Sequence, residues 1–231
     1  MKKQGNVLYV TTPEAYLSLD GENVVIKKDE QISMRLPLHN LENIVCFSYL
    51  GASPALMGAC AERSIGLSFL KPSGRFLARV TGRVKGNLLL RKKQYELSQK
   101  EDASVSIAAC FLLGKIANSR KVIERALRDH GMLLNGPALK AVSDFLKSTL
   151  IAVQSGETLD ELRGLEGSAA KQYFRVFGQL ILQQREDFPF EARSRRPPLD
   201  NVNALLSFLY TLLTYEVASA LETVGLDPYV V

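Results

Sequence analysis

The hydrophobic period of this 231-residue chain changes once, near Arg91. That change limits the fold more than any single motif. Before it, apolar residues come in short runs bounded by turn residues, the signature of strands. After it they recur every three or four positions over long stretches, the signature of amphipathic helices. The expectation is an α+β chain: a small N-terminal β domain over residues 1–95, then an all-α domain over residues 96–231.

Within the first part, residues 7–10 read as a short strand. Residues 16–19 and 24–27 form a hairpin around Asp20, Gly21, Glu22 and Asn23. Residues 32–38 alternate imperfectly, and residues 43–48 give another strand. The one helical interlude covers residues 54–64, with Ser53 as N-cap and Pro54 in the first position. A second hairpin pairs residues 66–70 with 75–80 across Lys71, Pro72, Ser73 and Gly74. In the second part, a long helix over residues 103–129 is expected to stop at His130 and Gly131. Residues 137–154 make a second helix and residues 158–163 a short third. Residues 164–177 make a fourth, followed by a loop holding Pro189, Pro197 and Pro198. A last helix over residues 200–224 ends at Gly225.

Cys46, Cys60 and Cys110 are odd in number and form no CxxC pair, which argues against a disulfide framework or a zinc site. A reducing, cytoplasmic setting is the natural inference. The apolar run after the N-terminus is too short for a signal-peptide core. Residues 204–221 carry only Glu216 as a charge, but Ser207, Thr211, Thr214, Tyr215 and Ser219 interrupt them. That favours a buried bundle helix over a membrane span, and no membrane partner is expected.

The net charge of +5 suits an acidic partner such as nucleic acid without requiring one. Its distribution says more. Between positions 63 and 95 lie Arg63, Lys71, Arg75, Arg79, Arg83, Lys85, Arg91, Lys92 and Lys93, with no Asp or Glu. At alternating strand positions Arg75, Arg79 and Arg83 would share a face suited to a phosphate backbone. The same residues read equally as the solvated face of an exposed sheet. A second cluster, Arg193, Arg195 and Arg196, runs through Pro197 and Pro198 into a helix start at which Asp200 is the expected N-cap. It too reads either as a held arginine clamp or as an ordinary surface loop. Glu166 stands among Gly164, Gly167, Ser168 and Ala169 near a helix start. Small neighbours leave room for a metal ion or a phosphate, while the plainer alternative is a solvated carboxylate favoured by the helix dipole.

Leu165, Glu166, Gly167 and Ser168 followed by Tyr173 and Phe174 make a weak motif alone. Joined at this spacing to the run from Arg196 through Pro197, Pro198, Leu199, Asp200, Asn201, Val202, Asn203, Ala204, Leu205, Leu206 and Ser207, they are specific. The chain resembles, over essentially its whole length, the CRISPR-associated spacer-acquisition integrase family, and most the type I-C branch. The resemblance implies an N-terminal β domain that dimerises and a helical domain that holds Mg²⁺ or Mn²⁺. It implies cutting and joining of double-stranded DNA, in which a protospacer 3′-hydroxyl attacks a phosphodiester at the CRISPR repeat boundary. The implied partners are protospacer and repeat DNA, a second copy of the chain, and the small ferredoxin-like CRISPR adaptation protein. Glu166 matches the family's metal-ligating glutamate, and Asn203 and Tyr210 match positions lining the same site. Arg75, Arg79, Arg83, Arg91, Arg193, Arg195 and Arg196 are the candidate DNA contacts.

The family's other two ligands, a histidine and an aspartate, follow a stretch like Gly225, Leu226, Asp227, Pro228 and Tyr229, and His39 and His130 match neither position. The expectation is therefore an N-terminal fragment with one ligand of three, inactive alone. The alternative is a non-catalytic dimeric DNA-binding module. A helical transcription regulator is disfavoured because no turn-linked helix pair carries a basic recognition helix.

Overall fold

A computed structural model describes residues 6–82 and 87–230. Two compact units emerge. The first takes the chain up to Arg91 together with Phe208–Tyr229, and the second takes Lys92–Ser207. The first boundary falls between Arg91 and Lys92, where the sequence reading put it at residue 95. The second falls inside the last helix, whose later turns belong with the β unit; sequence periodicity assigned that whole helix to the α domain.

The first unit contains strands β1 (Val7–Val10), β2 (Tyr16–Asp20), β3 (Asn23–Lys28), β4 (Gln31–Pro37), β5 (Asn43–Cys46), β6 (Gly66–Leu70) and β7 (Phe76–Val80), with helix α1 (Pro54–Glu62) between β5 and β6. β2, β3 and β4 form an antiparallel three-stranded sheet, and β1, β5, β6 and β7 form a second sheet in that order. The β1–β5 and β5–β6 pairs are parallel, and β6–β7 is antiparallel. Parallel neighbours need a crossover, and α1 supplies the one from β5 to β6. Ser53 begins that helix as predicted, its hydroxyl accepting from the Leu56 N–H at 3.2 Å, with Pro54 in the first turn. The β2–β3 hairpin closes through Gly21 at φ +58°, where an L side chain would be strained. Leu17, Val24, Ile44, Leu56 and Leu67 are almost fully buried in one core that both sheets and α1 share. Each such side chain contributes about 1.5–3 kcal/mol by leaving water.

Helix α2 (Leu88–Ser98) follows and spans the boundary between units. Arg91, near which the hydrophobic period changes, lies on this helix and not on a strand of the β domain expected over residues 1–95. No residue of α2 is buried, which explains why its apolar spacing carries little signal.

The second unit is a bundle of α3 (Glu101–His130), α4 (Gly136–Gln154) and α5 (Leu159–Phe177). Ile116, Ile123, Leu139, Leu146, Leu162 and Val176 meet in its core at helical spacing. α3 does not end on a left-handed glycine. Gly131 is right-handed at φ −54° and runs into a 3-10 turn, Gly131–Leu133. α5 is one helix where the sequence suggested two. Thr158 and Glu161 form a complete capping box at its start, and Leu162, Ala169 and Val176 bury one stripe. Gly164 and Gly167 fall on its exposed side and do not interrupt it.

Helix α6 (Asn201–Thr223) passes from the second unit into the first. Its length and mean hydropathy of 1.4 are those of a membrane span by composition alone. It is not the buried bundle helix expected: only Val202 and Asn203 are buried. In the β unit one face is pinned to the four-stranded sheet. Phe208 and Leu212 pack on Val45, Phe47 and Leu70, and Tyr215 stacks on Phe76 with ring centroids 4.4 Å apart. Leu209, Leu213 and Val217 remain about half exposed on the other face. A helix apolar on every side gives no periodic signal of which side is covered. Its end is the predicted glycine stop: Gly225 has φ +86°, the Gly225 N–H donates to Glu222 and the Leu226 N–H to Leu221.

Candidate functional site

Glu166 lies in the second turn of α5, with its neighbours Gly167 and Ser168 exposed. The small residues do leave its carboxylate open, but they do not leave it alone. Lys115 of α3 donates to Oε1 at 2.5 Å, and both side chains are about half exposed. An ammonium is a competitor for a carboxylate and never a metal ligand. Among the described residues no three His, Cys, Asp or Glu side chains converge on a point that could hold a metal ion. His39 lies in the 3-10 turn Leu38–Asn40, and His130 ends α3. The residues described therefore do not fit a complete metal site.

Asn203 is the centre of a second group of residues. It has no exposed surface, and its side-chain amide is used in full. Nδ2 donates to the Ala192 carbonyl at 2.8 Å and to Asp200 Oδ2 at 2.6 Å. Oδ1 accepts from Arg193 Nη1 at 2.8 Å and from the Ser194 N–H at 3.0 Å. Asp200 caps the helix as predicted, its Oδ1 accepting from the Asn203 N–H at 2.7 Å. Arg193 also reaches its neighbour's carbonyl, that of Ser194, and approaches Ser207 Oγ at 3.4 Å. The Leu199 N–H donates to Ser194 Oγ at 3.0 Å, and Asn201 Nδ2 to the Asp187 carbonyl at 2.8 Å. The loop is thus tied to the helix at several points, and the description of an ordinary surface connection does not fit it. Arg195 and Arg196 are exposed, whereas Arg193 points inward. Tyr210 lies two helical turns beyond Asn203, about half exposed, with its carbonyl accepting from Thr214 Oγ1.

On the β unit the basic residues are arranged differently from the expectation. A register shift opposite Leu70 interrupts the alternation of β7, so Arg75 and Arg79 do not continue one strict face. Arg79 is paired with Glu222 of α6. Arg75 is exposed. Arg83 lies outside the described residues. Arg91, which the sequence offered to DNA, lines a cavity of about 280 Å³ together with Ser219, Glu222 and Asp227. The ion pair of Arg79 was not legible because Glu222 is 143 residues away.

A β unit of two sheets and a helical unit with an open carboxylate and a tethered arginine loop define an α+β protein of two parts. The chain belongs to the Cas1 family: the family model described as CRISPR associated protein Cas1 matches residues 8–231. It is 47% identical over 228 residues to CRISPR-associated endonuclease Cas1 1 of Chlorobaculum tepidum, covering 99% of this chain and 66% of that protein. It is 49% identical over 234 residues to CRISPR-associated endonuclease Cas1 2 of Rhodospirillum rubrum, covering 100% and 67%. The chain thus spans about two thirds of the length of these two relatives. Its fold is that of a CAS1 protein from Thermotoga maritima, with a TM-score of 0.77 at 21% identity, covering 97% of this chain and 67% of that one. It also matches a chain of a Cas6-RT-Cas1–Cas2 complex with a TM-score of 0.73 at 26% identity, covering 98% of this chain and 24% of that one.

Proposed function

We propose that this chain supplies the β unit and the Glu166-bearing helical unit of a metal-dependent DNA endonuclease and integrase of CRISPR adaptation. The observation that carries the reading is the identity of 47–49%, over nearly the whole chain, to proteins named CRISPR-associated endonucleases. The reaction is the insertion of protospacer DNA into the repeat array by 3′-hydroxyl attack on a phosphodiester. Phosphoryl transfer of this kind calls for a hard cation with oxygen ligands, and Mg²⁺ or Mn²⁺ is the ion assigned. Glu166 is the donor this chain offers to it. The remaining donors are not among the described residues, and Lys115 occupies Glu166 in their place.

The chain's own residues do the binding. Arg195 and Arg196, exposed on a tethered loop, and exposed Arg75 are suited to duplex phosphates, which attract cations without reading sequence. A second copy joined through the β unit and a small ferredoxin-like adaptation partner complete the assembly, which acts in the cytoplasm. The naming of Cas2 in the complex containing a 26% identical chain supports the latter partner. A second reading, a dimeric DNA-binding module without catalysis, is favoured by the Lys115–Glu166 pair and describes residues 1–231 alone.

The test is a chimera in which this chain replaces the matched residues of the Chlorobaculum tepidum relative. Duplex cutting and strand joining that require Mg²⁺ or Mn²⁺ are expected. A folded chimera that binds DNA and does neither supports the module reading instead.

A further inference from the structure

We propose that Asn203 is a positioning residue, which holds Arg193 inward and thereby presents Arg195 and Arg196 as the phosphate-contacting pair of the loop. The inference rests on the reading that this loop meets DNA. Three observations carry it. Asn203 has no exposed surface and its amide already makes four hydrogen bonds, so no donor or acceptor is left for a substrate. Two of those bonds go to the backbone on either side of Arg193, at the Ala192 carbonyl and the Ser194 N–H, and a third goes to the Arg193 guanidinium itself. One amide therefore fixes the path of the chain across three consecutive residues. The loop then turns outward, and Arg195 and Arg196 are exposed.

The anchorage is matched to the task. Asp200 holds Asn203 from the opposite side, through Nδ2 and through the Asn203 N–H, so the amide is itself oriented by the helix cap. An arginine side chain on a free loop would lose conformational entropy on meeting a phosphate. A backbone already fixed at 192–194 lowers that cost for the two arginines that follow. Arg193 belongs to the anchor: Nη1 donates to Asn203 Oδ1 and to the Ser194 carbonyl while Nη2 reaches Ser207 Oγ at 3.4 Å, a two-nitrogen arrangement that the single ammonium of a lysine cannot reproduce.

The experiment is duplex-DNA binding by residues 1–231 across a salt series, with thermal melting of each variant alongside. Each phosphate contact contributes about 0.9 to the slope of log affinity against log salt. Arg195→Gln with Arg196→Gln should flatten that slope by about 2 and leave the melting temperature unchanged. Asn203→Ala removes no charge, so loss of slope in this variant reports displaced arginines. A loss approaching that of the double arginine variant is expected. Arg193→Lys keeps the charge and loses the fork, and should flatten the slope in the same direction by less; it serves even where Asn203→Ala does not fold. Wild-type binding unaffected by salt, or by loss of Arg195 and Arg196, overturns the DNA reading of the loop and the positioning role with it. A slope lost in the double arginine variant but retained in Asn203→Ala and Arg193→Lys overturns the positioning role alone.

Discussion

The Lys115 ammonium donates to the Glu166 carboxylate across 2.5 Å and ties α3 to α5 on the surface of the helical unit. The side chains keep 51% and 42% of their surface, so water screens their attraction. Exposed pairs of this kind contribute about 0.2–1 kcal/mol. The bundle core, from Ile116 to Leu162, does not depend on them. Glu166→Ala should therefore lower the unfolding free energy of this chain by less than about 1 kcal/mol, read by urea denaturation followed by circular dichroism. A loss of several kcal/mol would make Glu166 a structural residue.

Gly74 combines a strained backbone with a close neighbour in the β unit. Its φ is +82°, and a Cβ there would lie 2.4 Å from the Phe208 ring that seats α6 on the sheet. Gly74→Ala has to strain the turn and displace the ring together, and should cost about 1–3 kcal/mol. Gly21→Ala meets the strained φ with no atom within 4 Å and should cost less. Equal losses in urea denaturation would show that the ring contact contributes nothing.

These two glycines show what was legible. Both turns were readable because their chemistry is local: a glycine between short apolar runs. Phe208 was not readable as the neighbour of Gly74, since 134 positions separate them and nothing in either segment points to the other. The same division holds at the candidate site. Asp200 was readable as a helix cap and Glu166 as an open carboxylate, because neighbours in sequence decide both. The capture of Glu166 by Lys115, 51 positions earlier, was not. Asn203 was placed at the site by resemblance, but its burial and three of its four bonds depend on a loop folding back over nine to eleven residues. The parallel pairing of β1 with β5 was likewise hidden, because alternation within a strand does not name its partner.

Glu216 makes the β unit sensitive to pH. Burial raises its pKa above the ordinary value; the 2.5 Å hydrogen bond from Asn43 Nδ2 lowers it, and the charge of Glu42 raises it further. A raised carboxyl pKa means that the folded state binds the proton more tightly than the unfolded state. Its contribution is fully present below the unfolded pKa and is lost as pH rises through the folded one. Glu216→Gln keeps an acceptor for Asn43 and removes the half-buried charge. It should stabilise the chain at pH 7 and lose that advantage as pH falls toward 4.5 and below, read as the difference in melting temperature between variant and wild type. A difference independent of pH would contradict the assignment.

The thiols divide by burial. Cys46 and Cys60 lie in the β core, and burial pushes the Cys60 thiol up to about 11. Cys110 is exposed on α3. Since the thiolate is the reactive form, a chromogenic disulfide reagent at pH 7.5 should titrate one thiol in the folded chain and all three in denaturant. Three reactive thiols without denaturant would mean that the β core is open.

The central claim is that Glu166 is the carboxylate this chain brings to DNA cutting and joining. It is tested most directly in the chimera with the Chlorobaculum tepidum relative by Glu166→Ala, with DNA affinity and melting temperature measured on the same preparation. The account predicts that strand cutting and joining in Mg²⁺ or Mn²⁺ are lost while affinity and melting temperature hold. Wild-type cutting and joining by the Glu166→Ala chimera would contradict it.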